Sequence, residues 1–211
     1  MNYFLCALMG YCIGGINPAF IIGKIKGFDI RQRGTGNAGA SNAAVTMGKK
    51  VGIFIALFDI FKAFMAVKLA AFLFPQLTAV KIIAGVSCIL GHIFPVLMNF
   101  KGGKGLACLA GFIMGYDIRI FGILLLCEVV LALILDYICV IPITGSIIFT
   151  VIYAVTTSEP IGSILLAAVT VIMVLKHIQN LKLIREGTEV HISFLWKKDK
   201  NAERIKNSKQ E

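Results

Sequence analysis

The chain has 211 residues, of which 58% are apolar and 15% charged, with 21 basic against 11 acidic side chains. Soluble domains are about 45–50% apolar and about 25% charged, so this composition argues against a soluble enzyme, a disordered chain or a disulfide-stapled secreted domain and predicts one membrane-embedded domain. The six cysteines lie in apolar stretches without a CxxC pair, which is typical of small buried hydrophobic residues.

Seven apolar segments follow one another along the chain. A helix needs roughly 20 mostly apolar residues to cross a bilayer, and the candidate segments are residues 3–23, 51–74, 79–96, 105–116, 120–135, 137–155 and 161–175. The fourth reaches only about 18 Å as a helix, which favours a re-entrant or tilted piece. The prediction is an all-α polytopic membrane protein with about seven transmembrane or half-membrane helices, five or six full spans being the alternative. Because no basic residue precedes the first segment and no A-x-A site follows it, no cleaved signal peptide is expected.

Positive charge predicts the orientation. With seven crossings, 17 of the 21 basic residues fall on one side of the membrane, and positive loops stay in the cytoplasm. We therefore expect the N-terminus outside and the C-terminus in the cytoplasm. Topology accounts for the basic excess, so no nucleic-acid partner is expected. Residues 1–190 form the membrane domain, and residues 191–211 form a basic polar tail that lies on anionic lipid or in solvent.

The first cytoplasmic loop is rich in glycine and short polar side chains. The stretch from Gly34 to Gly39 satisfies GxGxxG, but it lacks the βαβ context and the later acidic residue of a dinucleotide site. Glycines let backbone N–H groups approach an anion, so the loop could hold a phosphate; the alternative is a flexible hydrophilic loop. The candidate anion-binding residues are Arg31, Thr35, Gly36, Asn37, Gly39, Ser41 and Asn42.

Two further polar segments are predicted on the same side. Lys101 and Lys104 flank Gly102-Gly103 just before an apolar helix, an anion-binding arrangement that is not a Walker A loop. Residues 177 and 180, a histidine and an asparagine, are three apart and share a helical face. A lone histidine is more often structural, but three polar segments on one face favour a shared site.

Three ionisable residues lie inside predicted spans. Asp59 and Lys62 are three residues apart and can form an ion pair, with a direct substrate role as the alternative. Glu128 has no evident local partner.

Together the three cytoplasmic segments resemble the bacterial acyl-phosphate:glycerol-3-phosphate acyltransferases. The resemblance covers roughly residues 1–190 in the family's order and spacing. It is carried by Gly34-Thr-Gly36-Asn37-Ala-Gly39-Ala-Ser-Asn42, by Gly91-His92 with Phe100-Lys101-Gly102-Gly103-Lys104-Gly105, and by His177-Ile-Gln-Asn180 with Gly187-Thr188-Glu189. The chain is identified as a divergent member of this family.

The resemblance implies a bacterial inner-membrane enzyme with its active site on the cytoplasmic side. Such an enzyme passes an acyl group from acyl phosphate to the sn-1 hydroxyl of glycerol 3-phosphate, which yields lysophosphatidic acid in the first step of phospholipid synthesis. The implied partners are these two substrates and membrane lipids, no cofactor or metal is needed, and a monomer is compatible with the activity.

The resemblance also implies residue roles. Lys104, the Gly102 and Gly103 amides and nearby Lys101 would hold a phosphate, whereas His92 would fix the loop. The implied catalytic residues are Lys104, His177, Asn180 and Thr35. The implied substrate-binding and phosphate-binding residues are Arg31, Gly36, Asn37, Gly39, Ser41, Asn42, Lys101, Gly102 and Gly103.

Several positions depart from the family pattern. Thr35 replaces a serine and keeps the hydroxyl, but Val45 replaces an arginine that could bind phosphate with two parallel hydrogen bonds. Asp136 stands for another arginine, and Cys139 and Pro142 occupy a region where the family carries serines. Two alternatives to acyl transfer therefore remain: a non-catalytic or substrate-shifted homologue that binds lipid or phosphate, and a transporter of small anions.

Overall fold

In the computed structural model, which describes residues 1–207, the regular elements are helical and no strand occurs among these residues. The last four residues of the predicted tail lie outside the described part. The α-helices are α1 (Asn2–Gly15), α2 (Pro18–Ile25), α3 (Ala40–Thr46), α4 (Lys49–Leu73), α5 (Val80–Ile93), α6 (Leu106–Tyr116), α7 (Ile118–Leu135), α8 (Ile141–Thr156), α9 (Pro160–Arg185) and α10 (Lys200–Asn207). The prediction of an all-α chain is confirmed.

Each of the seven predicted apolar segments overlaps at least one of these helices. By length and composition, four helical segments of the described chain can cross a membrane: Asn2–Ile25, Val80–Met98, Ile118–Leu135 and Pro160–Arg185. Helices α6 and α8 are shorter, and α4 carries three charged residues in its apolar part. Helix α6 has 11 residues, and its Phe112 is fully buried in the main core, so this short segment packs among the other helices; a re-entrant or tilted path through the membrane stays a prediction.

The first predicted segment is not one continuous helix. It breaks after Gly15, because Pro18 cannot continue a helix and Asn17 instead caps α2 by accepting a hydrogen bond from the Phe20 amide at 2.9 Å. The break frees the carbonyl of Ile16, which accepts a hydrogen bond from Lys62 Nζ at 2.6 Å. A side chain of α4 thus stabilises the kink.

Glycines allow the helices to approach each other closely. A Cβ on Gly14 of α1 would lie 2.0 Å from the Cys88 carbonyl oxygen of α5, and one on Gly111 of α6 would lie 1.9 Å from the Ile60 carbonyl oxygen of α4. Small residues at such crossings are the usual means of packing helices in membranes, where lipid is as apolar as the side chains. These contacts hold α1 on α5 and α6 on α4.

A buried polar cluster lies between α4 and α5. Lys62 Nζ is 2.7 Å from the Asp59 carboxylate and 3.1 Å from His92 Nδ1, so the predicted Asp59–Lys62 pair is confirmed and also includes His92. The donor atoms of Asp59, His92 and Cys108 lie within 4.8 Å of one another, a spacing that could hold a metal ion. The Lys62 ammonium already neutralises the Asp59 carboxylate there.

Glu128 of α7 has its partner on the next helix. Thr144 Oγ1 of α8 lies 2.9 Å from both Glu128 carboxylate oxygens and donates to them. This partner is 16 positions away, so spacing along one helix could not reveal it.

Candidate active site

One cavity of about 250 Å³ collects side chains from all three predicted polar segments. Thr35 and Asn37 come from the first segment, Lys104 from the second, and His177 and Asn180 from the third. The rest of the lining is largely apolar and comes from α3, α4, α5, α6, the α7–α8 turn and the chain after α9; Asp59 and His92 of the buried polar cluster also contribute to it. Its principal apolar residues are Ala44, Val45, Ile53, Ala56, Leu106, Ile138, Val190, Ile192, Phe194 and Leu195.

Asn42 organises the first segment from within. Its side chain is fully buried; Oδ1 accepts from the Thr35 amide at 2.8 Å, and Nδ2 donates to the Asn37 carbonyl at 2.8 Å and to two other loop carbonyls. These bonds present Thr35 and Asn37 to the cavity, together with Gly39 and Ser41. The expectation that Asn42 binds substrate is therefore corrected, because its amide is already used by the loop.

Arg31 also has a structural position rather than a place in the cavity lining. Its guanidinium pairs with Asp29 at 2.7 Å, donates to the Met98 carbonyl at 2.6 Å and stacks over the Phe20 ring. Hydrogen bonding to Arg31 lowers the pKa of Asp29. The arginine expected at a phosphate thus ties the first segment to the second.

The second segment folds back on the end of α5. The Gly102 amide donates to the Ile93 carbonyl and the Gly103 amide to the His92 carbonyl, both at 3.0 Å. A Cβ at either glycine would lie 2.0 Å from an atom of His92. The expectation that these two amides hold a phosphate is corrected, since both are used within the loop.

The folded loop delivers Lys104 to the cavity and leaves Lys101 exposed. Gly105 follows with φ 94 and begins α6, whose first residues Leu106 and Ala107 also line the cavity. The positive end of a helix dipole therefore opens beside the lysine, a favourable place for an anion.

Lys104 is held by an amide rather than by a carboxylate. Its ammonium donates to Asn180 Oδ1, while Asn180 Nδ2 donates to Glu189 Oε1 at 2.8 Å. Gly187, with φ 67, ends α9 and reverses the chain so that Glu189 returns to Asn180. The two partners fix which end of the amide faces the lysine.

Lys104, Asn180 and Glu189 form a hydrogen-bonded relay, and partial burial shifts the pKa of its two charged members. Burial lowers the pKa of Lys104, opposed by the negative charge of Glu189, and burial raises the pKa of Glu189, opposed by the Asn180 hydrogen bond and the Lys104 charge. Nearby, burial and the Glu189 charge raise the pKa of Cys139 to about 12. The Cys139 thiol is therefore protonated near neutral pH and is a poor nucleophile.

His177 contributes one free ring nitrogen to the lining. Its side chain is 3% exposed, and Nδ1 lies 2.7 Å from the Met173 carbonyl oxygen one helical turn earlier. A carbonyl can only accept, so this bond places the proton of a neutral ring on Nδ1 and leaves Nε2 as an acceptor.

The structure places seven of the predicted residues in the cavity lining and six elsewhere. The lining residues are Thr35, Asn37, Gly39, Ser41, Lys104, His177 and Asn180. The others are Arg31, Gly36, Asn42, Lys101, Gly102 and Gly103. Sequence reasoning did not assign Glu189 to the site, although Gly187 signals the reversal that returns it, and it did not place any residue after 190 there.

Val45 lines the cavity at the position where the family pattern has arginine. Lys49 also lines the cavity and could supply the positive charge that Val45 lacks, but its ammonium donates to the Leu195 carbonyl at 2.9 Å. Among the described residues, Lys104 is therefore the lining lysine whose ammonium contacts a side chain of the lining, that of Asn180, whereas Lys49 contacts a backbone carbonyl.

Comparison with known proteins identifies the family of this chain. The family model described as glycerol-3-phosphate acyltransferase matches residues 4–187. The chain belongs to the glycerol-3-phosphate acyltransferase family. It is 34% identical to glycerol-3-phosphate acyltransferase 1 of Oceanobacillus iheyensis, over 94% of this chain and 99% of that protein, and 34% identical to the Bacillus subtilis (strain 168) glycerol-3-phosphate acyltransferase, over 90% and 98%.

Solved structures agree in fold. The crystal structure of PlsY (YgiH), an integral membrane glycerol 3-phosphate acyltransferase, in its glycerol 3-phosphate form superposes with a TM-score of 0.83 at 26% identity, covering 93% of this chain and 100% of that one. Its lysophosphatidic acid form gives a TM-score of 0.78 at 25% identity, over 90% and 95%. The chain is thus similar to an integral membrane glycerol 3-phosphate acyltransferase that was solved in a glycerol 3-phosphate form and in a lysophosphatidic acid form.

Proposed function

We propose that this protein transfers an acyl group from acyl phosphate to the sn-1 hydroxyl of glycerol 3-phosphate, giving lysophosphatidic acid and inorganic phosphate. One observation carries the proposal: a single cavity has a lysine, a histidine and short polar side chains among its lining and apolar side chains over much of the rest. Both substrates carry phosphate and one carries a hydrocarbon chain, so both kinds of lining are needed.

Lys104 is the proposed phosphate-binding cation. Because its ammonium contacts the Asn180 amide oxygen instead of a carboxylate, its charge is available to an anion in the cavity. The start of α6 adds its dipole. Thr35, Asn37 and Ser41 supply hydroxyl and amide groups, and Gly39 lets the backbone approach.

His177 is the proposed acceptor of the hydroxyl proton. The sn-1 oxygen attacks the carbonyl carbon of acyl phosphate, the bond from that carbon to the bridging phosphate oxygen breaks, and the phosphate leaves. His177 Nε2 takes the proton from the attacking hydroxyl while the Met173 carbonyl holds the ring in place. The mixed anhydride is already activated, so positioning and charge stabilisation supply the remaining catalysis.

The proposed topology has seven membrane crossings, with the N-terminus outside and the site on the cytoplasmic side of the bacterial inner membrane. The distribution of 17 of 21 basic residues to one side supports it. Residues 1–190 form the membrane domain. A monomer is compatible with this proposal.

The test is direct. Purified protein in detergent is given palmitoyl phosphate and glycerol 3-phosphate, and lysophosphatidic acid and phosphate are measured. We expect equimolar products, and we expect His177→Ala to lower kcat by about 10²–10⁴-fold, the usual contribution of a general base. Gln179→Ala is the matched control: Gln179 lies on the same helix as His177, but it is exposed and does not line the cavity, so activity within about twofold of the parent is expected.

The outcomes separate the alternatives. Intact folded protein that forms no product overturns the proposal in favour of a non-catalytic homologue. Uptake of glycerol 3-phosphate into proteoliposomes without acyl transfer would instead indicate a transporter. Equal losses from His177→Ala and Gln179→Ala would overturn the role proposed for His177 and leave the proposed reaction standing.

A further inference from the structure

The chain after α9 crosses the cavity instead of leaving the protein. Residues 190–195, named the strap here, contribute Val190, His191, Ile192, Phe194 and Leu195 to the lining. The match to the family model ends at residue 187, so the strap lies beyond it. The segment that the sequence predicts to be part of a basic tail therefore includes a largely apolar wall of the site.

Asp136 holds the middle of the strap. Its two carboxylate oxygens accept from the Ser193 amide and the Ser193 hydroxyl, each at 2.7 Å. Its backbone carbonyl accepts from the Ile192 amide at 2.8 Å. Asp136 ends α7 with φ 58, a conformation that aspartate and asparagine tolerate better than most residues. Three hydrogen bonds thus converge on one residue that departs from the family pattern.

Further contacts secure both ends of the strap. The His191 ring stacks on Tyr137 with centroids 4.9 Å apart, and its Nδ1 lies 2.9 Å from the Asp199 carboxylate. Lys49 of α4 donates to the Leu195 carbonyl at 2.9 Å. The strap is therefore tied to the α7–α8 turn on one side and to the start of α4 on the other.

The strap side chains match a hydrocarbon ligand. The side chains of Ile192, Phe194 and Leu195 have no hydrogen-bonding groups, and with those of Ile53 and Leu106 they line the same cavity as Lys104. A cavity of about 250 Å³ has room for a phosphoryl group and only the first part of a fatty chain. Each methylene removed from water strengthens binding about fourfold.

We propose that the strap is the wall that contacts the acyl chain next to the reacting carbonyl, and that Asp136 is a positioning residue that sets donor selectivity by holding this wall through Ser193. This inference rests on the proposed acyl transfer. Asp136 thus has a task in this chain that differs from binding phosphate, and its negative charge is used by the strap.

The main experiment compares two aspartates at opposite ends of α7. Asp136→Asn keeps the size and the tolerance of positive φ, but it removes the negative charge and replaces one of the two oxygens that accept from Ser193 with an amide N–H. Asp117→Asn is the matched control, because Asp117 caps the start of α7 and does not line the cavity. Values of kcat/KM are measured for palmitoyl and acetyl phosphate, with the KM for glycerol 3-phosphate alongside.

We expect Asp136→Asn to lower kcat/KM for palmitoyl phosphate about tenfold and for acetyl phosphate less than about threefold, since an acetyl group has no methylene to contact the wall. The KM for glycerol 3-phosphate and all values for Asp117→Asn stay within about twofold of the parent. Equal losses for the two donors, or no loss, would overturn the inference.

A gentler pair checks the hydroxyl contact. Ser193→Ala removes one of the bonds to Asp136, and Ser193→Thr retains a hydroxyl. We expect Ser193→Ala to show a smaller shift in donor selectivity in the same direction, and Ser193→Thr to restore it. If Ser193→Thr matches Ser193→Ala, the hydroxyl does not hold the strap.

Fluorescence reports on the strap independently of turnover. Trp196 is the only tryptophan in the sequence and directly follows the strap. Palmitoyl lysophosphatidic acid should shift Trp196 emission in the parent and in Asp117→Asn, with a weaker shift in Asp136→Asn. An unchanged spectrum in all three proteins would count against the strap as an acyl wall. A parent that makes no lysophosphatidic acid overturns the proposed function, whereas an active parent with an unaltered Asp136→Asn variant overturns only this inference.

Discussion

Two lysine-centred clusters of this protein use similar residues for different ends. Lys62 contacts the carboxylate of Asp59 directly at 2.7 Å, and His92 completes a buried cluster between helices. Lys104 contacts the amide of Asn180, and the carboxylate of Glu189 lies beyond that amide. A lysine paired directly with an acid is neutralised and serves the fold, whereas a lysine separated from its acid by an amide keeps charge for an anionic ligand.

The largest expected effect is the loss of stability that follows from removing Lys62. Lys62→Met leaves the buried Asp59 carboxylate without its cation and the Ile16 carbonyl without its donor. We expect the free energy of unfolding to fall by about 3–5 kcal/mol, measured by thermal unfolding in detergent. The double variant Asp59→Asn/Lys62→Met should recover part of this loss. A single variant as stable as the parent would show that the pair does not stabilise the fold.

Removing Lys104 should spare the fold and impair the chemistry. We expect Lys104→Ala to lower kcat/KM for glycerol 3-phosphate by about 10²–10³-fold, because a preorganised charge beside the reacting groups is lost. Lys101→Ala is the control, since Lys101 belongs to the same loop but is exposed and does not line the cavity. Similar activities of the two variants would contradict the difference drawn between the two lysines.

The amide in the relay can be converted into an acid. Asn180→Asp places a carboxylate directly against Lys104 and makes the second cluster resemble the first. We expect the KM for glycerol 3-phosphate to rise about tenfold or more, because the lysine charge is neutralised as it is for Lys62. Thermal stability should fall, because the new carboxylate cannot donate to Glu189 as the Asn180 amide does. An unchanged KM would mean that the amide spacing is not what keeps Lys104 available.

The smallest expected effect is that of the Glu189 charge on the pH dependence of the KM for glycerol 3-phosphate. Burial lowers the pKa of Lys104, so its charge and the binding of an anionic acceptor are retained at low pH and lost as pH rises through that lowered value. The charge of Glu189 opposes the lowering. Glu189→Gln removes that charge, so the rise in KM for glycerol 3-phosphate should begin at a lower pH. A rise that begins at a higher pH, or at the same pH, would contradict the relay.

Much of the fold was predictable because apolar composition is a local property. Segments such as residues 51–74 and 120–135 were recognisable from the length of their apolar stretches. The ends of α4 and α7 lie within two residues of the predicted ends. The last predicted segment before α9 begins later than expected: α8 starts at Ile141 instead of Tyr137, because the strap holds Asp136 and Tyr137 in the turn before it.

The sequence by itself determined that the chain is helical and membrane-embedded. It also indicated that three glycine-bearing polar segments form one shared site and resemble the motifs of one enzyme family. Spacing placed His177 and Asn180 together because a helix repeats every 3.6 residues. Only the tertiary structure decided that Asn42, Arg31 and the Gly102 amide serve the loops, and that the chain after α9 returns over the cavity. Hydrogen-bond partners far apart along the chain have no local signature, since they depend on which helices pack side by side.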